Sequence, residues 1–137
     1  MSCDKISQLS LTGPAGTTLV PIRVVAHEAI SELFRYEIEA VAARSIDAVS
    51  VLNKPACLAV NHGEASTRYF HGIVGEFGPI ARSGAVDTLY RMVLVPQLAE
   101  AELQIDCRLF FNKTAQDILK TILTDAGVTN VIFRLYS

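Results

Sequence analysis

The sequence is poor in charged and aromatic residues, and what it lacks excludes several classes of protein. Of its 137 residues, 19% are charged, 7% are aromatic and none is tryptophan. The net charge is −2 and no basic stripe is present, so the electrostatic footprint of a nucleic-acid-binding protein is missing. No run of roughly 18 apolar residues occurs, which excludes a membrane-spanning helix.

Cysteines and targeting signals are also scarce. Cys3, Cys57 and Cys107 are odd in number and widely spaced, which fits neither a disulfide framework nor a zinc site. We interpret them as reduced thiols that are buried or incidental. The polar N-terminus has no apolar segment typical of a secretory signal after it, so we expect synthesis and initial retention in the cytoplasm.

Apolar residues, in contrast, make up 50% of the chain, which is enough for one compact domain with its own core. Together with the low charge, this content leaves two interpretations open. Either the core is large, or part of the apolar surface requires a partner.

Alternation of apolar and polar residues predicts most of the strands. One apolar face is predicted from Val20, Ile22, Val24 and Ala26, and the clearest alternation covers residues 34–42. Further strands are predicted over residues 6–11, 56–60, 67 to about 77, and 87–95, with a turn over 81–85. The strand over 87–95 is apolar on both faces, which is typical of a covered barrel wall or a subunit interface.

The principal helix is predicted from Thr114 to about Ala126, with a capping box between Thr114 and Asp117 and a stop at Gly127. Its apolar stripe favours either core packing or a surface facing a partner; it consists of Ile118, Leu119, Ile122, Leu123 and Ala126. A last strand is predicted over residues 131–136. The fold class is therefore β-rich α+β: a small antiparallel β-barrel over about residues 6–112, then one principal helix and a strand over 113–136.

The residues that could support chemistry are dispersed. His27, His62 and His71 have no partners at metal-ligand spacing, so no metal, cofactor-binding or catalytic residue is predicted. His71 is interpreted as a hydrogen-bonded or packed histidine, the alternative being a general base that serves Cys107 as nucleophile.

Two other patterns have ordinary structural explanations. Glu37 and Glu39 share a strand face, which indicates solvated surface rather than a glycosidase pair. Gly72, Gly75 and Gly78 lie inside a predicted strand, where they favour curvature or tight subunit contact rather than phosphate binding.

Residues 68–74, Arg-Tyr-Phe-His-Gly-Ile-Val, are the most informative segment of the chain. They are followed by Tyr-Arg-Met-Val-Leu-Val-Pro at 90–96 and by Arg-Leu-Phe at 108–110, before the capped helix. Upstream, Glu28 and Ser31 precede Leu-Phe-Arg-Tyr at 33–36, and Leu-Asn-Lys occupies 52–54. This order resembles the N-terminal hub region of the VgrG spike proteins of type VI secretion, which are related to the baseplate hub of contractile phage tails.

The resemblance implies a set of structural motif residues: Arg68, Phe70, His71, Gly72, Pro96 and Phe110. Asn53 replaces the glycine that is usual in the family, but asparagine also tolerates left-handed backbone. The tryptophan that often follows the proline is absent. Relative to the family, we expect residues 1–137 to be the first portion of the hub, with the second barrel, neck and needle absent.

The implied function is mechanical and non-enzymatic. Family members form homotrimers, cap the tube of Hcp protein and carry effector proteins into target cells. The resemblance therefore implies Hcp, effectors and further copies of the chain as partners, with no cofactor, nucleic acid or membrane insertion. It also implies export by the type VI machine without a signal peptide.

Three alternatives stay open at this point. The first is a hub protein of a phage or phage-like contractile tail. The second is a ligand-binding β-barrel, for which a pocketed rather than a filled interior is expected. The third is a thiol hydrolase or small lytic enzyme that uses Cys107 and His71.

Overall fold

The structure is a computed structural model that describes residues 8–11, 18–62, 66–83, 87–102, 107–128 and 131–134. The chain divides into two compact units, Met1–Pro96 and Gln97–Ser137. The division falls earlier than the boundary near residue 112 that the sequence pattern indicates.

Strands make up most of the first unit. They are β1 (Gln8–Leu11), β2 (Thr18–His27), β3 (Arg35–Ala42), β4 (Pro55–His62), β5 (Ser66–Ser83) and β6 (Asp87–Val95), with the short helix α1 (Ala48–Val51) between β3 and β4. The second unit contains the helices α2 (Ala99–Glu102) and α3 (Ala115–Asp125).

The described strand pairs are all antiparallel and follow the cyclic order β1-β2-β3-β6-β5-β4. β1 has four residues and pairs with both β2 and β4. β5 has 18 residues; its first half pairs with β4 and its second half with β6. The β-rich, antiparallel character of the predicted fold is confirmed, and the strands form a curled sheet accompanied by a few helices.

The concave side of the sheet holds the core. β3 and β6 have the inward residues that the sequence predicts, because alternate side chains of a strand point to the same face. Among the side chains whose burial the structure describes, the largest that are almost fully buried are Leu19, Ile38, Leu58, Val74, Met92 and Leu94, which face inward, and Val93, which lies on the opposite face of β6.

The predicted apolar face of β2 is wrong in its first half. Leu19 and Pro21 are buried, whereas Val20 and Ile22 are 54% and 56% exposed. The register with β3 shifts between Pro21 and Arg23, which marks a β-bulge. A bulge adds one residue to one strand and reverses the facing of the residues beyond it, so Val24 returns to the inner side opposite Ile38.

Helix α3 begins and ends as predicted. The Thr114 hydroxyl accepts from the Asp117 N–H at 3.2 Å, and the Asp117 carboxylate accepts from the Thr114 N–H at 3.4 Å, so the capping box is present. At the other end Gly127 has φ 78°, and its N–H and that of Val128 bond back to carbonyl groups of the last turn. This is the Schellman pattern.

Two predicted segments differ from the structure. Residues 131–134 form no strand, because no described strand of the second unit is present to pair with them. The predicted turn over 81–85 begins later, since β5 extends to Ser83. Several predicted positions lie outside the described residues: Ile6, the turn that Gly13, Pro14 and Gly16 predict, residues 63–64 of the turn that Asn61 and Gly63 predict, and residues 84–85.

The segment 52–54 turns sharply beside β5. Asn53 has φ 57°, which is the left-handed conformation anticipated for it. Its N–H donates to the Val74 carbonyl at 2.9 Å, and the Val74 N–H donates to the Lys54 carbonyl at 3.0 Å. The turn is therefore fixed to the sheet by two backbone hydrogen bonds.

We expect Asn53→Val to lower the free energy of unfolding by about 1–2 kcal/mol, because a β-branched residue is strained at positive φ. Asn53→Gly should cost little, since glycine adopts this conformation freely. Urea unfolding of the three proteins measures both effects. Equal midpoints for wild type and Asn53→Val would show that the turn is not held in this conformation.

Candidate functional site

The motif residues on β5 divide between the two faces of the sheet. Phe70 and Gly72 face inward, because Leu58 and Ala56, their partners on β4, are buried. His71 faces outward and is exposed. The segment therefore contributes alternately to the core and to the surface.

Around Phe70, an aromatic cluster anchors the loop between β2 and β3. Phe70 lies edge-on to Tyr36 with ring centres 5.0 Å apart, and Tyr36 stacks on Phe34 at 4.9 Å. The Arg68 guanidinium lies 4.7 Å from the centre of the Phe70 ring. The Tyr36 hydroxyl donates a short hydrogen bond to the Glu28 carboxylate, and burial followed by this bond raises the pKa of Tyr36 to about 12. Tyr36 is thus a permanent donor at neutral pH.

The three glycines of β5 have different surroundings. A Cβ added at Gly72 would lie 2.5 Å from the backbone carbonyl oxygen of Val95 and 3.0 Å from Leu94, so β6 approaches too closely for a side chain. Gly75 lies where the register with β6 shifts, and a Cβ there would meet Val95 at 3.1 Å. At Gly78 a Cβ would meet nothing within 4 Å. Gly72 and Gly75 therefore allow β5 to lie close to β6 within the chain.

The two remaining motif residues are Pro96 and Phe110. Pro96 directly follows β6 and is the last residue of the first unit. Phe110 belongs to the second unit, where it is partly buried in a segment without regular secondary structure. Within the first unit, the structure brings Arg68 and Phe70 together with Tyr36.

Within the first unit, the thiol beside His71 belongs to Cys57. Cys57 and His71 lie opposite each other on β4 and β5, with Sγ 3.9 Å from Nε2. Burial raises the pKa of the Cys57 thiol, which disfavours the thiolate required of a nucleophile. Cys107 is exposed in the second unit. This pair was not predicted, because the register that brings the two residues together is not fixed by alternation alone.

Ion pairs cover the outer face of the strands β2, β3, β6 and β5. They are Arg23–Glu39 at 2.9 Å, Arg35–Glu37 at 3.5 Å, Arg35–Glu76 at 2.8 Å and Arg91–Glu37 at 3.0 Å. Arg35 and Glu76 lie on the two neighbours of β6, so their pair crosses that strand. Val93 lies between Glu37 and Glu76 in the register and is fully buried.

The Glu37 carboxylate is suited to ion pairing and not to acid catalysis. Its hydrogen bond to Arg91, and more weakly that to Arg35, hold its pKa below the ordinary value. A glycosidase acid requires the opposite shift. The interpretation of Glu37 and Glu39 as surface residues is supported, with the addition that each has an arginine partner.

Large apolar side chains of the second unit are exposed. Of the predicted stripe on α3 only Ala126 is buried, while Leu119 and Ile122 are 50% and 41% exposed. Leu109, Phe111 and Ile132 are exposed by 82%, 78% and 81%. Ile118 and Leu123 are half-buried, so the stripe is covered only in part, and its exposed side chains favour the alternative interpretation of a surface that faces a partner.

The described part of the chain holds no group of three or more His, Cys, Asp or Glu side chains arranged to bind a metal. In the same residues, no helix has the length and apolar character needed to cross a membrane.

Comparison with known protein families gives one match that covers most of the chain. The family model of the phage tail baseplate hub (GPD) matches residues 27–137. Among solved structures, the E. coli c3393 protein, a component of the type VI secretion system with structural similarity to the T4 bacteriophage tail proteins gp27 and gp5, superimposes with a TM-score of 0.73. It is 24% identical and covers 85% of this chain and 31% of its own, so the likeness shows a shared fold.

Similar sequences include several spike proteins. The type VI secretion system spike protein VgrG1c of Pseudomonas aeruginosa is 32% identical over 119 residues, which are 85% of this chain and 16% of that protein. VgrG2b of the same organism is 34% identical over 110 residues, 80% and 11% of the two chains. The actin cross-linking toxin VgrG1 of Vibrio cholerae is 30% identical over 103 residues, 74% and 9%. The chain thus spans a small part of the length of these relatives.

Gly72→Ala is expected to lower the free energy of unfolding by about 1–3 kcal/mol, because the new methyl group meets a backbone carbonyl that cannot move aside. Gly78→Ala is the matched control: it makes the same change on the same strand in open space, and its effect should stay within about 0.5 kcal/mol. Urea unfolding measures both. Equal destabilisation would contradict the close approach of β6.

For the ion pairs, we expect Glu37→Gln to lower stability more at pH 7 than at pH 3. The folded pKa of Glu37 lies below its ordinary value of 4.5, so the stabilisation is complete above that pH and is lost as the pH falls through the lowered pKa. Urea midpoints at the two pH values, in low salt, measure the difference. The same comparison in about 1 M NaCl is the control, because salt screens exposed pairs. An effect of equal size at pH 7 and pH 3 would contradict this assignment.

Proposed function

Because the chain belongs to the phage tail baseplate hub family and is similar to type VI spike proteins over most of its length, we propose that it forms part of the spike hub that caps the Hcp tube. The observation that carries this proposal is the family match over residues 27–137. In the full-length protein the hub is a homotrimer, and it carries effector proteins toward the target cell.

The filled interior of the first unit supports a structural role. Its inner face is occupied by one cluster of packed side chains, which includes Leu19, Ile38 and Met92 at 0% exposure. We regard the six strands as a small closed barrel, since β1 pairs on both of its edges. A ligand-binding barrel would require space where these side chains lie.

The exposed apolar side chains of the second unit support assembly. Leu109, Phe111 and Ile132 cost free energy while they face water, and a subunit contact removes that cost. Association through such surfaces fits a trimeric hub in which each chain contacts its neighbours.

An enzymatic role has less support. The relatives matched over most of this chain include structural spike proteins, and His71 has beside it a thiol whose raised pKa disfavours nucleophilic attack. The proposed route is synthesis in the cytoplasm followed by export within the spike.

A hub protein of a phage or phage-like tail is the second candidate. The observation that favours it is the family description itself, together with the fold shared with a protein similar to T4 tail proteins. The two candidates differ in the tube that they cap, so the tube protein used in the experiment discriminates between them.

The test is solution mass by light scattering, for the full chain alone and mixed with purified Hcp rings. We expect a complex whose mass exceeds that of either component. Rings of a phage tail tube protein, mixed under identical conditions, are the control for the second candidate. A chain that stays monomeric and does not bind Hcp rings would contradict tube capping by these residues. Binding to the phage tube ring alone would favour the tail hub.

A further inference from the structure

Cys57 and His71 face each other on the outer side of two neighbouring strands. They are register partners on β4 and β5, and Cys57 Sγ lies 3.9 Å from His71 Nε2. Ala56 and Leu58, on either side of Cys57, are buried in the core, so the pair lies on the opposite face of the sheet. His71 is exposed and Cys57 is half-buried, so an ion can reach the pair from solvent.

The surroundings of the pair are apolar and aromatic. On the same face, the flanking register pairs are Ala59 with Tyr69 and Pro55 with Ile73, and none of these four residues is charged. Tyr69 stacks on His71 with ring centres 6.5 Å apart and ring planes inclined by 21°. Because this stacking restricts the orientation of the imidazole, little side-chain entropy is lost when His71 binds an ion.

A sulfur and an imidazole nitrogen at this distance can bind one metal ion together. With bonds of about 2.3 Å to sulfur and about 2.0 Å to nitrogen, two ligands of one metal lie about 3.5 Å apart at a tetrahedral angle and about 4.3 Å apart in a linear arrangement. The distance of 3.9 Å between the two atoms lies between these values. Small movements of the two side chains therefore reach either arrangement.

The number of donors indicates which metal fits. Zinc sites have three or four protein ligands, and the described residues contain no group of three or more His, Cys, Asp or Glu side chains placed to bind a metal. A cation that two donors satisfy is therefore favoured. Among the metals that bind both thiolate and imidazole, Cu(I) is the soft ion that accepts this low coordination number.

We propose that Cys57 and His71 form a two-coordinate site for Cu(I) that bridges β4 and β5. On binding, the S–H bond of Cys57 breaks, its proton passes to solvent and the sulfur forms the Cu–S bond, as coordination deprotonates a thiol. The Nε2 lone pair of neutral His71 forms the Cu–N bond. Copper enters and stays as Cu(I), so no electron is transferred. The site is independent of the proposed hub, and its test requires no tube protein.

The experiment is an anaerobic titration of the full chain with Cu(I) against the chromophoric chelator bicinchoninate. The background variant Cys3→Ser/Cys107→Ser keeps Cys57 as its one cysteine and should bind one equivalent of Cu(I). In this background Cys57→Ser should abolish binding, and His71→Gln should weaken it by about 10-fold or more, because one of two donors is lost. His27→Gln is the matched control, since it removes another exposed imidazole of the first unit and should leave the affinity unchanged.

X-ray absorption at the copper edge should show one sulfur and one nitrogen ligand. A background variant that binds no copper would overturn the site. Equal affinity in His71→Gln would overturn it too, because the thiol alone would then hold the ion, and two sulfur ligands per copper would show a contact between two chains instead. Displacement of copper by about a tenfold excess of Zn(II) would contradict the choice of metal. Unchanged urea midpoints show that the variants are folded.

Discussion

The first unit depends on β6, which is buried along its inner face and, at Val93, on its outer face as well. On the inner side Tyr90, Met92 and Leu94 enter the core, and on the outer side Val93 is fully buried between glutamates of the neighbouring strands, whereas Arg91 is exposed. Burial of a residue on the second face needs paired strand edges and cover on both sides. β3 and β5 supply the edges, the core covers one side, and the Arg35–Glu76 pair crosses the other. The absence of side chains at Gly72 and Gly75 lets β5 follow this strand closely.

Two buried tyrosines of the same strands hold neighbouring loops in place through their hydroxyl groups. Tyr36 and Tyr90 lie near opposite ends of the paired strands β3 and β6, and each has an aromatic neighbour stacked on it at 4.9 Å. The Tyr36 hydroxyl holds Glu28 in one loop, and the Tyr90 hydroxyl accepts from the Ile46 N–H at 2.9 Å in another. Buried tyrosine is suited to this task because its ring packs in the core while its hydroxyl reaches the rim. Loop geometry is therefore a consequence of core packing.

How far the sequence predicts this structure depends on the range of the interactions involved. β3, β6 and α3 follow from local patterns, namely strict alternation, two apolar faces and paired helix caps, and all three are present. The facing of β2 does not follow from a local pattern, because the bulge near Pro21 depends on the pairing of β2 with β3. The approach of Cys57 to His71 and the arginine partners of Glu37 also depend on register, which alternation alone leaves open. The expected strand at 131–136 had suitable composition, but composition provides no partner strand.

The distribution of charge indicates how such a chain takes part in assembly. On the outer face of the sheet each of the glutamates 37, 39 and 76 is matched by an arginine of the same face, so these charges largely neutralise one another. Little unpaired charge remains there to attract a partner over a distance. Apolar side chains on the second unit are then the features with most free energy to gain from contact. Association driven by their burial is little weakened by salt, which screens ion pairs but leaves apolar contacts intact.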